Sequence, residues 1–335
     1  MATLKDLASS LGLSITTVSR ALDGYSDVAE STRSRVKAAA EAAGYRPNAA
    51  ARRLRKGSTE MVTMVLPTEP GQFNEPLYIE LLAALGKRLA RDGYDLTLLA
   101  APPGTEELKT YRRLVEGRRT DGLIVVRTRR DDARIRWLLE QDFPFVTMGR
   151  TDVPGAFPFV DGDGAAAFRE ACERLLGLGH RRVALIGAPS AFTFAGLRRD
   201  GYRAAMAAAG LPPIECEAAA DEEGGCEAAL DLLARPDRPT ALLCATDRIA
   251  YGALRAARRL GLEIPADVSV VGHDNLPASA FTDPPLTTME LPIAETGELL
   301  AEMLLARIAG TDPHVLQSIR PVRFVDRAST APPRG

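Results

Sequence analysis

The chain is poor in the residues that carry metal, redox or disulfide chemistry: four cysteines, three histidines and one tryptophan in 335 residues. Cys172, Cys216, Cys226 and Cys244 lie far apart, with no CxxC pair and no histidine nearby. That spacing excludes an ordinary zinc site and a disulfide framework, and the thiols read as small buried hydrophobes in a reducing compartment. No apolar run reaches membrane-spanning length, and the opening MATLKDLASS is charged where a signal peptide needs an apolar stretch, so a cytoplasmic location and no membrane partner are expected. P-loop and HExxH motifs are missing, and neither the isolated histidines nor the scattered serines form a recognisable catalytic set. No enzyme activity, metal or cofactor is expected.

What is present is an ordinary globular mixture, 46% hydrophobic and 26% charged, long enough for two or three domains. Its net charge of -2 is unevenly spread. Residues 1–60 carry ten Lys and Arg against six Asp and Glu, a balance of +4, which leaves -6 for the remainder. A basic N-terminal segment on an acidic body is the first functional clue.

That segment reads as three short helices. Leu4, Leu7, Ala8 and Leu11 recur at helical spacing, with Thr3 and Asp6 placed for a capping box and Gly12 for a stop. Ser14 caps a second helix with Val18 and Leu22 inward, which leaves Ile15, Thr16, Ser19 and Arg20 to other directions. A third run, Ser31 to Ala43, turns Val36, Ala39, Ala40 and Ala43 inward and ends at Gly44. This is a helix-turn-helix pattern. From Ala42 to Thr59 no acid interrupts Arg46, Arg52, Arg53, Arg55 and Lys56, a run suited to phosphate.

The runs TLKDLASSLGLSITTVSRAL, VAESTRSRV and GYRPNAAARRL resemble the DNA-binding headpiece and hinge of the LacI/GalR family of bacterial transcription regulators. The resemblance implies a helix-turn-helix domain over 1–46, a hinge helix or linker over 47–59, and an effector-binding and dimerisation core over 60–335. It implies a leucine wedge in the minor groove at Leu54, flanked by Ala51, Arg52 and Arg55; an apolar side chain amid arginines suits unstacking a base step. Base readers fall on Ile15, Thr16 and Arg20: an isoleucine reads a thymine methyl, a threonine donates or accepts, and an arginine takes guanine or phosphate. Further DNA contacts fall on Leu4, Ser14, Thr17, Ser19, Thr32, Tyr45 and Asn48. Asp23 departs from the family's asparagine and, as an acid near phosphate, is left out.

In the remaining body MVTMVLP, YDLTLLA, DGLIVVRT, FPFVTMG, RRVALIG, TALLCAT and VSVVGH read as buried strands, with helices between them over spans such as 76–91, 164–178 and 248–260. Alternating strands and helices imply parallel sheets covered on both faces. The family resemblance implies two Rossmann-like subdomains of the periplasmic binding protein type, about 60–160 plus 290–320 and about 161–289 plus 321–330, with a ligand cleft beyond the strands' carboxyl ends. A rival signal, Gly162-Asp163-Gly164-Ala165-Ala166-Ala167, fits the dinucleotide pattern G-x-G-x-x-A. The required acid about twenty residues on is missing, since Arg182 and Val183 stand there.

A sugar needs charged or amide groups for paired hydroxyls and an aromatic plane for its apolar face. By resemblance, Arg198 in FAGLRRDGY and Asp274 in VVGHDN match effector contacts, Phe73 and Tyr78 lie where the family places an aromatic, and Asp163 matches a cleft aspartate. Phe192 and Phe194 offer the stacking plane. Three positions depart from the family: Thr246 for asparagine, Leu291 for glutamine and Ala220 for an aromatic. The expected protein is an effector-controlled repressor of carbohydrate genes, a homodimer on pseudo-palindromic operator DNA with a sugar as effector. The alternatives are a purine-type corepressor-dependent regulator and, lower, a nicotinamide-dependent enzyme. PLYIELLAALGKRLARDGY is the candidate dimer element, and the heptad-free tail ASTAPPRG implies a dimer rather than a tetramer.

Overall fold

The computed structural model describes residues 3–45, 57–68 and 76–334. Asn48, Ala51, Arg52, Leu54, Arg55 and Phe73 lie outside the described residues, as do Arg46, Arg53 and Lys56. The chain divides into two compact units, Met1–Thr59 and Glu60–Gly335.

In the first unit α1 (Leu4–Leu11) opens on a complete capping box: the Thr3 hydroxyl accepts from the Asp6 amide at 3.2 Å, and the Thr3 amide donates to the Asp6 carboxylate at 2.9 Å. Gly12, with φ of 66°, ends it in the left-handed region. In α2 (Ile15–Leu22) the Ser14 hydroxyl accepts from the Thr17 amide at 3.0 Å. The third helix, α3, spans Glu30–Ala42 and starts one residue before the expected Ser31, from an Ala29 that offers no side-chain cap. Leu7, Ala8, Val18, Ala21, Val36 and Ala40 close a small core. Ala43, expected inward, is exposed because it lies past the last helical turn as the C-cap.

The second unit carries two parallel sheets. The first joins β1 (Met61–Pro67), β2 (Asp95–Ala101), β3 (Gly122–Val125), β4 (Phe145–Met148), β5 (Phe159–Gly162) and β11 (Gln317–Arg320) in the order β11-β5-β4-β3-β1-β2. The second joins β6 (Val183–Gly187), β7 (Ile214–Glu217), β8 (Ala241–Cys244) and β9 (Ser269–Val271) as β7-β6-β8-β9, and β10 (Thr288–Glu290) pairs antiparallel with β12 (Arg323–Val325). Each parallel sheet has a separate hydrophobic cluster on either face, as covered sheets require. The helix Pro76–Arg91 matches its expected span, while Gly164–Gly177 and Asp247–Arg259 differ from theirs by single residues at the ends.

The chain passes between the two sheets three times, after β5, between β10 and the helix Ile293–Ile308, and between β11 and β12. These crossings touch: a Cβ at Gly162 would lie 3.0 Å from Val322 Cγ2 and 3.5 Å from Leu291 Cδ1. Nearby, the helices Gly164–Gly177 and Thr193–Ala208 approach so closely that a Cβ at Gly201 would stand 2.0 Å from the Ala165 carbonyl oxygen. Gly164 in turn faces Arg198, whose Cγ would be 3.3 Å from an added Cβ. The G-x-G-x-x-A run thus serves a crossing and a helix contact, which accounts for its glycines without a pyrophosphate.

Candidate functional site

A cavity of about 160 Å³ opens past the carboxyl ends of strands from both parallel sheets. Arg198, from the helix Thr193–Ala208, reaches it from the second sheet's side. Its guanidinium lies 4.6 Å from the centre of the Phe194 ring and 5.7 Å from that of Phe168, and Nη1 donates to the Ala245 carbonyl. Burial lowers its pKa, opposed by the carboxylates of Asp274, Asp161 and Asp247. Phe192 and Phe194 stack on each other at 5.6 Å and also line the cavity.

Asp274 follows β9 in a strained turn, with φ of 121° at Asp274 and 50° at Asn275. Such non-glycine backbone costs roughly 1–3 kcal/mol per residue and persists only where its surroundings over-determine it. Here the Asp274 amide donates to the Met289 carbonyl at 2.8 Å, and Arg327 donates to Asn275 Oδ1 at 2.7 Å. Burial pushes the Asp274 carboxyl up to about 6, with Arg198 pulling the other way. Beside it His273 Nδ1 stands 2.8 Å from Asp274 Oδ1. Burial, then the Arg198 charge, holds His273 well below its usual pKa, so the ring is neutral near pH 7 and its Nδ1–H donates to the carboxylate. Behind this pair, fully buried Asp247 accepts from Thr288, Ser279 and the Leu276 amide, which fixes the turn from below.

The opposite wall comes from the first sheet. Arg150, just past β4, donates through Nε to Asp161 Oδ2 at 2.7 Å. Arg127 follows β3 with φ of 53° and is held there by Arg134. Arg134 is buried and donates to the carbonyls of Val126 at 3.1 Å and Arg127 at 3.0 Å, to both Asp132 oxygens at 2.9 and 2.7 Å, and to Glu107. Arg129 completes the cluster through Glu107 Oε2 at 3.1 and 3.2 Å. The next residues tie the sheets together: the Thr193 amide donates to the Thr128 carbonyl at 3.2 Å and the Arg130 amide to the Ala191 carbonyl at 3.0 Å.

Of the residues expected to reach an effector, Tyr78, Phe192, Phe194, Arg198, Thr246 and Asp274 line this cavity together. Thr246 also caps the helix Asp247–Arg259, accepting from the Ile249 amide at 3.2 Å. Asp163 is not among the lining residues; its carboxylate caps the helix Gly164–Gly177 through the Ala166 amide at 3.0 Å, and the wall aspartate is Asp161. Ala220 and Leu291, the departures from the family pattern, do line it. Arg127, Arg150, Arg248, Asp161 and His273 were not singled out from the sequence. For all but Arg248 the available signal was position: polar residues at the ends of the apolar runs GLIVV, FVTMG, FPFV and SVVG.

In the first unit, the start of α2 presents several of the expected DNA contacts at the surface. Ile15 is 48% exposed and Thr16 is exposed, on a helix end whose amide dipoles favour phosphate. Arg20 lies 4.4 Å from the Tyr25 ring centre and pairs with Asp27, Nη2 to Oδ2 at 2.5 Å. Ser14 and Thr17 bond one another at 2.8 Å; Ser14 is exposed and Thr17 half-buried. Ser19 is only 6% exposed; Leu4 and Tyr45 pack against the core, and Thr32 is half-buried. Among the described residues no acid, histidine or cysteine cluster suits a metal ion, and no helix is long and apolar enough to cross a membrane.

Residues 3–48 match the family described as bacterial regulatory proteins, lacI family, and residues 172–330 match the periplasmic binding protein-like domain. The HTH-type transcriptional regulator AglR of Rhizobium meliloti (strain 1021) is 37% identical over 98% of this chain and 94% of its own. A structure of a transcriptional regulator CelR–cellobiose complex superposes with a TM-score of 0.76 at 30% identity, over 98% of this chain and all of that one. The lac repressor dimer bound to operator and the anti-inducer ONPF superposes with a TM-score of 0.84 at 26% identity, over 98% of this chain and 99% of that one.

Proposed function

Because the chain belongs to the LacI family of bacterial regulatory proteins, we propose that it represses carbohydrate uptake or catabolism genes from a pseudo-palindromic operator and that a sugar in the sensor cavity controls its hold on that DNA. One observation carries the sugar reading. A guanidinium on an aromatic face, Arg198 over Phe194, stands beside the Asp274 carboxylate in a cavity whose other wall offers Arg150 and Asp161. Charged donors and acceptors around an aromatic plane are what vicinal hydroxyls and an apolar sugar face require. The CelR relative, solved with cellobiose, supports the same ligand class.

The protein acts in the cytoplasm as a homodimer, since a two-fold operator needs two headpieces. Ile15, Thr16 and Arg20 read bases, Ser14 and Thr17 hold phosphates, and Asn48, Ala51, Arg52, Leu54 and Arg55 take the family's hinge positions, with Leu54 as the wedge. A sugar that binds one arrangement of the two lobes more tightly shifts the population and with it the DNA affinity. Fluorescence anisotropy on DNA upstream of the protein's own locus, with and without a panel of mono- and disaccharides, tests both halves. Salt-sensitive, sequence-selective binding that one sugar changes is expected; binding that ignores sequence, or that no sugar alters, overturns the reading.

A further inference from the structure

Four cations line the cavity, Arg127, Arg150, Arg198 and Arg248, and at first sight they favour an anionic ligand such as a sugar phosphate. Their counter-charges say otherwise. Asp161 holds Arg150 at 2.7 Å, and Glu222 grips Arg248 through two hydrogen bonds of 2.9 and 2.6 Å. Asp274 shares the wall with Arg198, and the buried Asp247 lies directly beneath Asp274's turn. Among the described residues, carboxyl groups thus already stand against Arg150, Arg198 and Arg248, and a ligand anion would compete with acids in place.

The buried polar atoms sharpen this. Arg198 Nε and His273 Nε2 are both buried and have no hydrogen-bond partner among the described residues. His273 is 4% exposed, forms part of the cavity wall, and has Nδ1 committed to Asp274. A neutral imidazole that donates from Nδ1 carries only a lone pair on Nε2, so this atom requires a donor. Arg198 Nε–H requires an acceptor. Alcohols supply both functions, whereas phosphate and ionised carboxylate groups only accept and would set a lone pair against Nε2.

Resting on the sugar reading above, we infer that the cavity takes an uncharged polyhydroxyl ligand, and that His273 is a specificity residue that accepts a hydrogen bond from one of its hydroxyls.

Calorimetric titration of the full chain with neutral mono- and disaccharides, their phosphates, the matching uronic acids and hypoxanthine tests the class. At least one neutral sugar binds, and its phosphate binds at least tenfold more weakly. In His273→Phe, which keeps a planar ring and loses the acceptor, affinity for that sugar falls at least tenfold; in His273→Gln, which restores an acceptor, it returns to within about threefold. The ligand-free melting transition of each variant checks folding, and should the phenylalanine variant fail to fold, the glutamine variant and the charged series still decide the matter. Tighter binding of a phosphate or uronic acid, or undiminished binding by His273→Phe, overturns the inference and leaves the sugar reading standing. Binding of hypoxanthine alone, or of nothing in the panel, overturns both.

Discussion

Replacing Arg134 with methionine should destabilise the sensor body severely, by about 3–5 kcal/mol, the usual consequence of removing one partner from a buried ion cluster. Arg134 satisfies two carboxylates and two carbonyls, all buried or nearly so. Without it Asp132 keeps only the amides of Arg129 and Arg134, at 3.0 and 3.1 Å, and Glu107 keeps only Arg129. Asp132 is then left with backbone amides and Glu107 with one guanidinium in a dry interior, and the Val126 and Arg127 carbonyls lose their donor. For a body of this size 1 kcal/mol moves the melting point by roughly 2–4 °C, so thermal unfolding followed by circular dichroism should show a fall of roughly 10 °C. The pH dependence has a definite sign. Burial works to raise the Asp132 pKa, but the Arg134 hydrogen bond and charge outweigh it and leave the folded value below the ordinary one. In the wild type that contribution is present above the unfolded carboxyl pKa, about 3.9, and is lost as pH falls through the lower folded value. In Arg134→Met the cation is gone, protonation relieves the stranded Asp132, and the deficit relative to wild type shrinks from pH 7 toward pH 4. Adding Glu107→Gln should recover part of the loss. A melting point within about 2 °C of wild type, or a deficit that does not change with pH, would refute the reasoning.

Three further outcomes follow from the site. Arg198→Ala should remove the response of the operator complex to sugar, read by anisotropy with and without ligand; a retained response means that Arg198 does not hold the effector. With its folded pKa raised to about 6, Asp274 favours the folded state when protonated, so its contribution to ligand-free stability grows as pH falls from about 6 toward 4. Sugar affinity should fall over the same window as the carboxylate acceptor is lost, and Asp274→Asn should flatten both profiles; a wild-type affinity constant from pH 5 to 8 contradicts this. Ile15→Ala should relax preference at one base-pair position, weaken operator binding by about 1 kcal/mol and leave the melting point unchanged, because the side chain is largely exposed. Equal selectivity in a base-substitution series would remove Ile15 from the reading set.

What could be read in the sequence was local. The capping box at Thr3 and Asp6, the Ser14 cap and the glycine stop at Gly12 act within four residues and appear in the fold as expected. Apolar runs such as MVTMVLP and TALLCAT declared themselves as strands because both faces of a parallel sheet are buried. The edge strand Ile214–Glu217 and the three-residue strands β10 and β12 escaped notice, being half-polar or too short for periodicity to register. The cluster of Glu107, Asp132 and Arg134 was invisible for another reason: Glu107 reaches the neighbouring Asp132 and Arg134 from a separate helix, and charged residues read singly as surface. Asp161 and Asp163 show the limit most closely. Both follow apolar residues, and only the crossing after β5 decides that one faces the cavity while the other caps a helix.

The three touching crossings have a mechanical consequence. Gly162, Leu291 and Val322, one from each, are all part of the cavity wall. Adjacent threads between two lobes leave a swing about the line where they meet less hindered than a slide or a separation, and a ligand lodged against that line works at the fulcrum. There a displacement of a fraction of an ångström sets an angle, and the angle becomes a larger travel at the far ends of the lobes. The cavity resembles the short arm of a lever, in which a small molecule acts with high force and little movement.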